Sequence, residues 1–262
     1  MKKYNMFFLN IKYENLRLIT YFLFFSILLA FYGATFFQRN SEYIAYSTGD
    51  LFLFLTGGTK EGKNFFSYIN WFGLILIVYL PMIYVLSKQF QDKKIFVFYR
   101  VNEYKNWYYS NVIWTFFNVL IFLITIYTIT FLVSLIFKGA SYWTSPNEFN
   151  SLVKGVSLKS IILKTFVLNF LFFNGLILLA SNLSFLTRKF NASILGVLVL
   201  SYVTSLGNSK YLIGNAAMLM KEDIFISGNN CLTFNFALIY LSIFLVLNLI
   251  GGHFLYRRNI EF

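Results

Sequence analysis

The chain has 262 residues, 58% of them hydrophobic, 22% aromatic and 12% charged. Soluble domains carry about 25% charged residues, so the composition excludes an ordinary soluble fold. Mean hydropathy of +0.65 and 34 Phe point to an integral membrane protein, and 2 Pro argue against long disordered linkers. The net charge of +12 does not call for nucleic acid, because the basic residues are scattered between apolar runs instead of gathered on one soluble face. A single cysteine, Cys231, excludes an internal disulfide, and with His253 alone no metal site is expected.

Residues 1–17 place Tyr4, Phe7, Phe8 and Ile11 at helical spacing, with Lys3, Asn10, Glu14 and Arg17 on another face. This predicts an amphipathic helix on the cytoplasmic surface, leading into a first span at 18–37. That run is too long for a signal-peptide h-region, so no cleavable leader is expected. Further uncharged runs predict spans at 65–87, 111–137, 165–187, 190–206 and 236–256, each about one bilayer crossing long. Pro81 is expected to kink the second, with Trp71 near its entry as an interfacial anchor. Trp107, Tyr108, Tyr109 and Tyr256 read as further belt residues.

Between the spans, 38–63 reads as a loop, and Ser145, Pro146, Asn147 and Glu148 in the second long loop form a capping box with proline at the first helical position. Arg188 and Lys189 make a tight basic turn that forces spans four and five to be antiparallel neighbours. The outer loop 208–235 contains the apolar stretch 211–220, too short to cross and better read as re-entrant or interfacial. Lys and Arg are denser in the segments that alternate with these outer loops, which places both termini in the cytoplasm. The fold expected is a single all-α transmembrane domain of six helices.

One cytoplasmic segment is unusual. Wound as a helix, 88–110 lines up Val97, Val101, Tyr104 and Tyr108 as a stripe, with Lys94 and Lys105 on one flank and Lys93 and Arg100 on the other. Asp92 and Glu103 point the opposite way. Such a helix lies on a lipid surface with its basic stems snorkelling, and its acidic side faces the cytosol.

Candidate chemistry elsewhere is thin. Residues 57–64 come close to a P-loop, with the run 51–55 before them like a strand, but Asn64 replaces the hydroxyl that would bind Mg²⁺ and the following helix is a span. A glycine-rich outer turn is the favoured reading. The spans hold almost no ionisable groups apart from Lys164 and His253, which argues against an ion-coupled transporter and an intramembrane enzyme. Asn118, Asn169, Asn174, Asn182 and Asn248 read chiefly as interhelical hydrogen-bond glue. Lining a substrate path is the other reading of Asn118, Asn169, Asn174 and Asn248.

The whole layout resembles the ABC-2 type permeases of bacterial ABC transporters, in particular those of peptide and bacteriocin export or immunity systems. The likeness rests on the amphipathic N-terminus, the six spans, the basic aromatic loop between spans two and three and the re-entrant outer segment before span six. Within it, the residues from Arg100 to Trp107 look like the "Arg, six residues, Trp" loop of those permeases, and 214–220 is similar to their segment before the last span. The resemblance implies a coupling helix at 88–110 docking on a separate cytoplasmic ATPase, with Lys93, Lys94, Arg100, Glu103 and Lys105 in contact and Trp107 as the anchor of span three. It further implies a dimer with a second permease copy or paralogue in the bacterial cell membrane, moving a peptide or other amphipathic substrate. The chain would bind no cofactor and be no enzyme, ATP and Mg²⁺ being held by the partner. The alternative is a non-transporting immunity or sensor protein that binds an antimicrobial peptide.

Overall fold

The computed structural model describes residues 3–39, 48–59, 65–100, 104–138, 158–187, 190–206, 209–223 and 231–258. Among these the chain is predominantly helical, with one isolated bridge between Glu222 and Leu232 and no strand. The physical reason is the solvent. Long apolar runs in hydrocarbon must satisfy every backbone group internally, and a helix does so within one segment.

Eight helices follow in chain order: α1 (Lys3–Arg39), α2 (Thr48–Thr56), α3 (Phe65–Arg100), α4 (Tyr104–Lys138), α5 (Leu158–Thr187), α6 (Phe190–Leu206), α7 (Ile213–Ala216) and α8 (Phe234–Arg258). Five contain apolar windows long enough to cross a membrane: Leu16–Phe36, Tyr68–Leu86, Tyr108–Phe137, Lys159–Ser184 and Phe234–Leu255. This is a multi-pass, all-α membrane protein. The windows fall where five of the expected spans were placed. The remaining one, α6, has 17 residues and a rise of about 26 Å, just short of a 30 Å hydrocarbon core.

Helix α5 is the hub, packing on α3, α4, α6 and α8, while α1 packs on α4. Leu168, Phe172, Phe173 and Ile177 of α5 are fully buried, with Phe172 stacked on Trp71 at 5.9 Å and Phe173 edge-on to Phe122 at 6.4 Å. Outward faces carry large apolar side chains, such as Phe24 and Leu28 of α1 and Ile239, Ile243 and Leu247 of α8. In a soluble protein such patches would drive aggregation; here lipid is their solvent.

Cross-helix hydrogen bonds define two ends of the bundle. At one, Trp71 Nε1 of α3 donates to Ser205 Oγ of α6 (3.3 Å) and Thr48 Oγ1 of α2 lies 3.2 Å from Ser134 Oγ of α4. At the other, Tyr108 OH donates to Leu249 O (2.9 Å), Asn182 Nδ2 donates to Asn248 O (2.7 Å), and Thr187 Oγ1 meets Ser193 Oγ at 3.0 Å. Gly252 makes the second end possible: a Cβ there would overlap the Tyr108 hydroxyl and Asn182 Oδ1. Tyr79 OH donates to Ile194 O (3.3 Å), so α6 runs antiparallel to α3 as well as to α5.

Several expectations change. The amphipathic segment is no separate element, since α1 is one helix from Lys3 to Arg39. Helix α3 runs through Pro81 and on to Arg100, so 88–100 continues the second span. Residues 101–103 lie outside the described residues, and the next helix begins at Tyr104. Trp71 is not an interfacial anchor: it is 1% exposed, because Ser205 satisfies its indole N–H and lets the ring enter the core. Tyr108 is buried for the same reason, its hydroxyl bonded to α8, whereas Tyr109 is exposed as a belt residue would be. The capping box at 145–148 lies outside the described residues.

Candidate functional site

The first end of the bundle is closed by two short segments that enter it without crossing, and their junction is the most chemically distinctive part of the molecule. The first is α2, inside the stretch read as a plain loop. All nine of its residues are buried. Its local logic is clear: Asp50 sits in the first turn, where a negative charge complements the helix N-terminus, and Leu51–Leu55 forms a helix, not a strand. Gly58, with φ of +85°, then turns the chain in the left-handed region that suits glycine.

The second segment is 209–223. Asn215 Nδ2 donates to Ser209 O (2.9 Å), which folds the entry of α7 onto itself, and Ala216 through Met220 are all buried. A 3-10 turn, Leu219–Lys221, completes it. Asp223 N donates to Leu232 O (2.8 Å) and Leu232 N to Lys221 O (3.2 Å), while Tyr240 OH of α8 donates to Tyr211 O (2.7 Å). The stretch 211–220, expected to be re-entrant or interfacial, is exposed at Tyr211 and buried from Gly214 onward, and with the residues around it forms a plug.

The two segments meet tip to tip. Met220 N donates to Gly57 O (3.0 Å), Thr59 Oγ1 lies 3.6 Å from Met218 Sδ, and a Cβ on Gly58 would overlap the Met218 side chain. Asn169 of α5 clamps the joint by donating Nδ2 to Thr56 O at 3.1 Å. Gly57 and Gly58 of the P-loop lookalike thus serve close packing. Gly57 N is spent on Leu53 O (2.8 Å) and its carbonyl on Met220, so this part of the stretch presents no row of amides to a phosphate.

Charge gathers behind the plug. Glu222 has a side chain 1% exposed, and its Oε2 lies 3.5 Å from Nζ of Lys164, which is 20% exposed. That ammonium also sits 5.0 Å from the centroid of the Phe234 ring of α8. Lys221 and Asp50 are buried as well. Burial pushes the Glu222 carboxyl up to about 7 against the pull of Lys164, with Asp223 adding to the rise.

No protein-family profile, curated protein or solved structure matches this chain. What the site does must be read from its own residues.

The residues expected to contact an ATPase lie away from the plug. Lys93, Lys94 and Arg100 are on α3 beyond its apolar window, which ends at Leu86, and Lys105 and Trp107 are in the first turn of α4. Glu103 lies outside the described residues, as do the side chains of the other five. The asparagines divide by partner. Asn169 and Asn182 bond across elements, whereas Asn118, Asn174 and Asn248 donate to the carbonyls of Trp114, Phe170 and Phe244 four residues back on their own helices. All five are buried.

Reading the spans for ionisable groups missed Glu222, Lys221 and Asp50 because all three lie between the spans. A signal was present: a charged triplet, 221–223, directly follows an apolar stretch too short to cross. Backbone at membrane depth needs protein cover, and cover drawn over 211–220 also buries the charges at its end.

Proposed function

We propose that the chain is the membrane-spanning permease subunit of an ATP-driven ABC transporter, in which six helices cross a bacterial cell membrane and a separate ATPase supplies the energy. The plugged end faces outward, and the basic extension of α3 faces the cytoplasm. Both termini are cytoplasmic, α6 makes the sixth crossing, and a second copy or paralogue completes the pathway for a peptide or other amphipathic substrate.

One observation carries this reading: the second apolar window and the basic run 88–100 belong to a single helix, α3. The 14 residues after Leu86 extend about 20 Å at helical rise, far enough to leave the hydrocarbon and meet a soluble partner. At its other end the same helix places Trp71 against α5 and α6. A push on the extension would reach the plugged end through one continuous helix, which suits coupling to a soluble motor.

The test is co-purification of the whole chain with the ATPase encoded beside it. Lys94→Glu with Arg100→Glu is expected to cut retained ATPase at least about tenfold, since reversed charge at an interface costs affinity, and to abolish export. Binding and export that both survive the double substitution would overturn the assignment.

A further inference from the structure

We propose that Glu222 is a proton-binding site that controls how the plug is seated: the neutral carboxyl holds 209–223 in place, and ionisation loosens it. This does not depend on the ATPase reading.

The geometry carries the argument. Glu222 is buried, and among the described residues no group other than the Lys164 ammonium meets its oxygens. Its ion partner Lys164 stands at 3.5 Å, longer than the roughly 2.7–2.9 Å of a charge-assisted hydrogen bond, and shares its charge with the Phe234 ring and with solvent. A dry carboxylate with one distant partner is under-compensated. Lys164 of α5 attracts it and Asp223 of its own segment opposes it, with Lys221 adjacent in sequence. From α8 comes only a ring, the charges of that helix being Arg257 and Arg258 at its far end; α6 carries no charge, and Asp50 is the one charge on α2.

The direction follows from linkage. Seated, the carboxyl titrates at about 7; free in water, at 4.5. The seated state holds its proton more tightly, so seating is strongest below pH 4.5 and is lost progressively as pH rises through about 7. Mild acid locks the plug and alkali releases it. For a chain whose plug faces outward, the outer medium would set this lock.

Cys231 reports the motion without engineering. It is the only cysteine and partly buried, next to Leu232, whose backbone bonds to the residues on either side of Glu222. The experiment is the rate of maleimide reaction at Cys231 in the full-length protein, divided at each pH by the rate for the denatured chain to remove thiol titration. Between pH 6 and pH 8 this ratio is expected to rise about tenfold in the parent protein, to stay low and flat in Glu222→Gln, and to keep its rise in Asp223→Asn. Lys164→Met, which removes the attraction, should move the rise to higher pH. A flat parent profile, or the same rise in Glu222→Gln, would overturn the proposal; should Glu222→Gln fail to fold, an unmoved rise in Lys164→Met does so.

Discussion

Gly58→Val destabilises the folded protein by about 2–5 kcal/mol, adding left-handed backbone strain of about 1–2 kcal/mol to overpacking of about 1–3 kcal/mol. Two independent features of the position give this result. Its φ is +85°, and a Cβ there would overlap Met218, the residue through which the plug meets α2. Because the second cause is local, Met218→Ala in the same chain should recover the overpacking part and leave the backbone part. Gly73 supplies the control, since a Cβ there meets nothing within 4 Å. Gly73→Ala on α3 is expected to be neutral or to add up to about 1 kcal/mol of helix stability. Thermal unfolding in detergent, followed by size exclusion, orders the four proteins; equal midpoints for Gly58→Val and Gly73→Ala would remove the joint from the description of this end.

Lys164→Ala is the second large effect. It leaves Glu222 buried with its nearest positive charge gone, at a cost of about 2–4 kcal/mol at pH 8, where the carboxyl must either stay charged in a dry site or take up a proton. At pH 5 the same substitution costs far less, because a neutral carboxyl needs no counter-charge. In a chain of this length that corresponds to an apparent Tm lowered by roughly 5–10 °C at pH 8. The pairing of Lys164→Met with Glu222→Gln removes both charges and should restore most of the loss, a non-additivity expected only of residues in contact. Additive losses, or a loss independent of pH, would mean that the 3.5 Å pair contributes nothing to the fold.

The spans were legible because hydrophobic runs between charges are a direct consequence of the bilayer as solvent: five apolar windows fall on the runs that sequence alone marks out. What escaped has a common cause. Helix α2 holds an apolar run with too few residues to cross, and length is the quantity hydropathy weighs, so Asp50 and FLFL read as loop; only contact with α1, α3, α4 and α5 makes them a buried helix. Trp71 and Tyr108 were misplaced at the interface because their burial depends on acceptors, Ser205 and Leu249, more than 130 residues away in sequence. That 211–220 does not form a span was readable, since an apolar stretch of this kind is too short to cross. The charge pair it conceals was not, because Lys164 and Glu222 meet only once α5 and the plug are packed. For 88–110, periodicity described a helix but could not say that its first part would continue α3.

The most direct test of the whole arrangement is the sidedness of its two ends. In a chain with Cys231 replaced by alanine, a single cysteine at Lys210 marks the plug and one at Lys94 marks the α3 extension. With a membrane-impermeant maleimide added to intact bacterial cells, Lys210→Cys is expected to be labelled at once and Lys94→Cys only after permeabilisation. Labelling of both from the same side would contradict the arrangement, for the plug and the α3 extension would then share one face of the membrane.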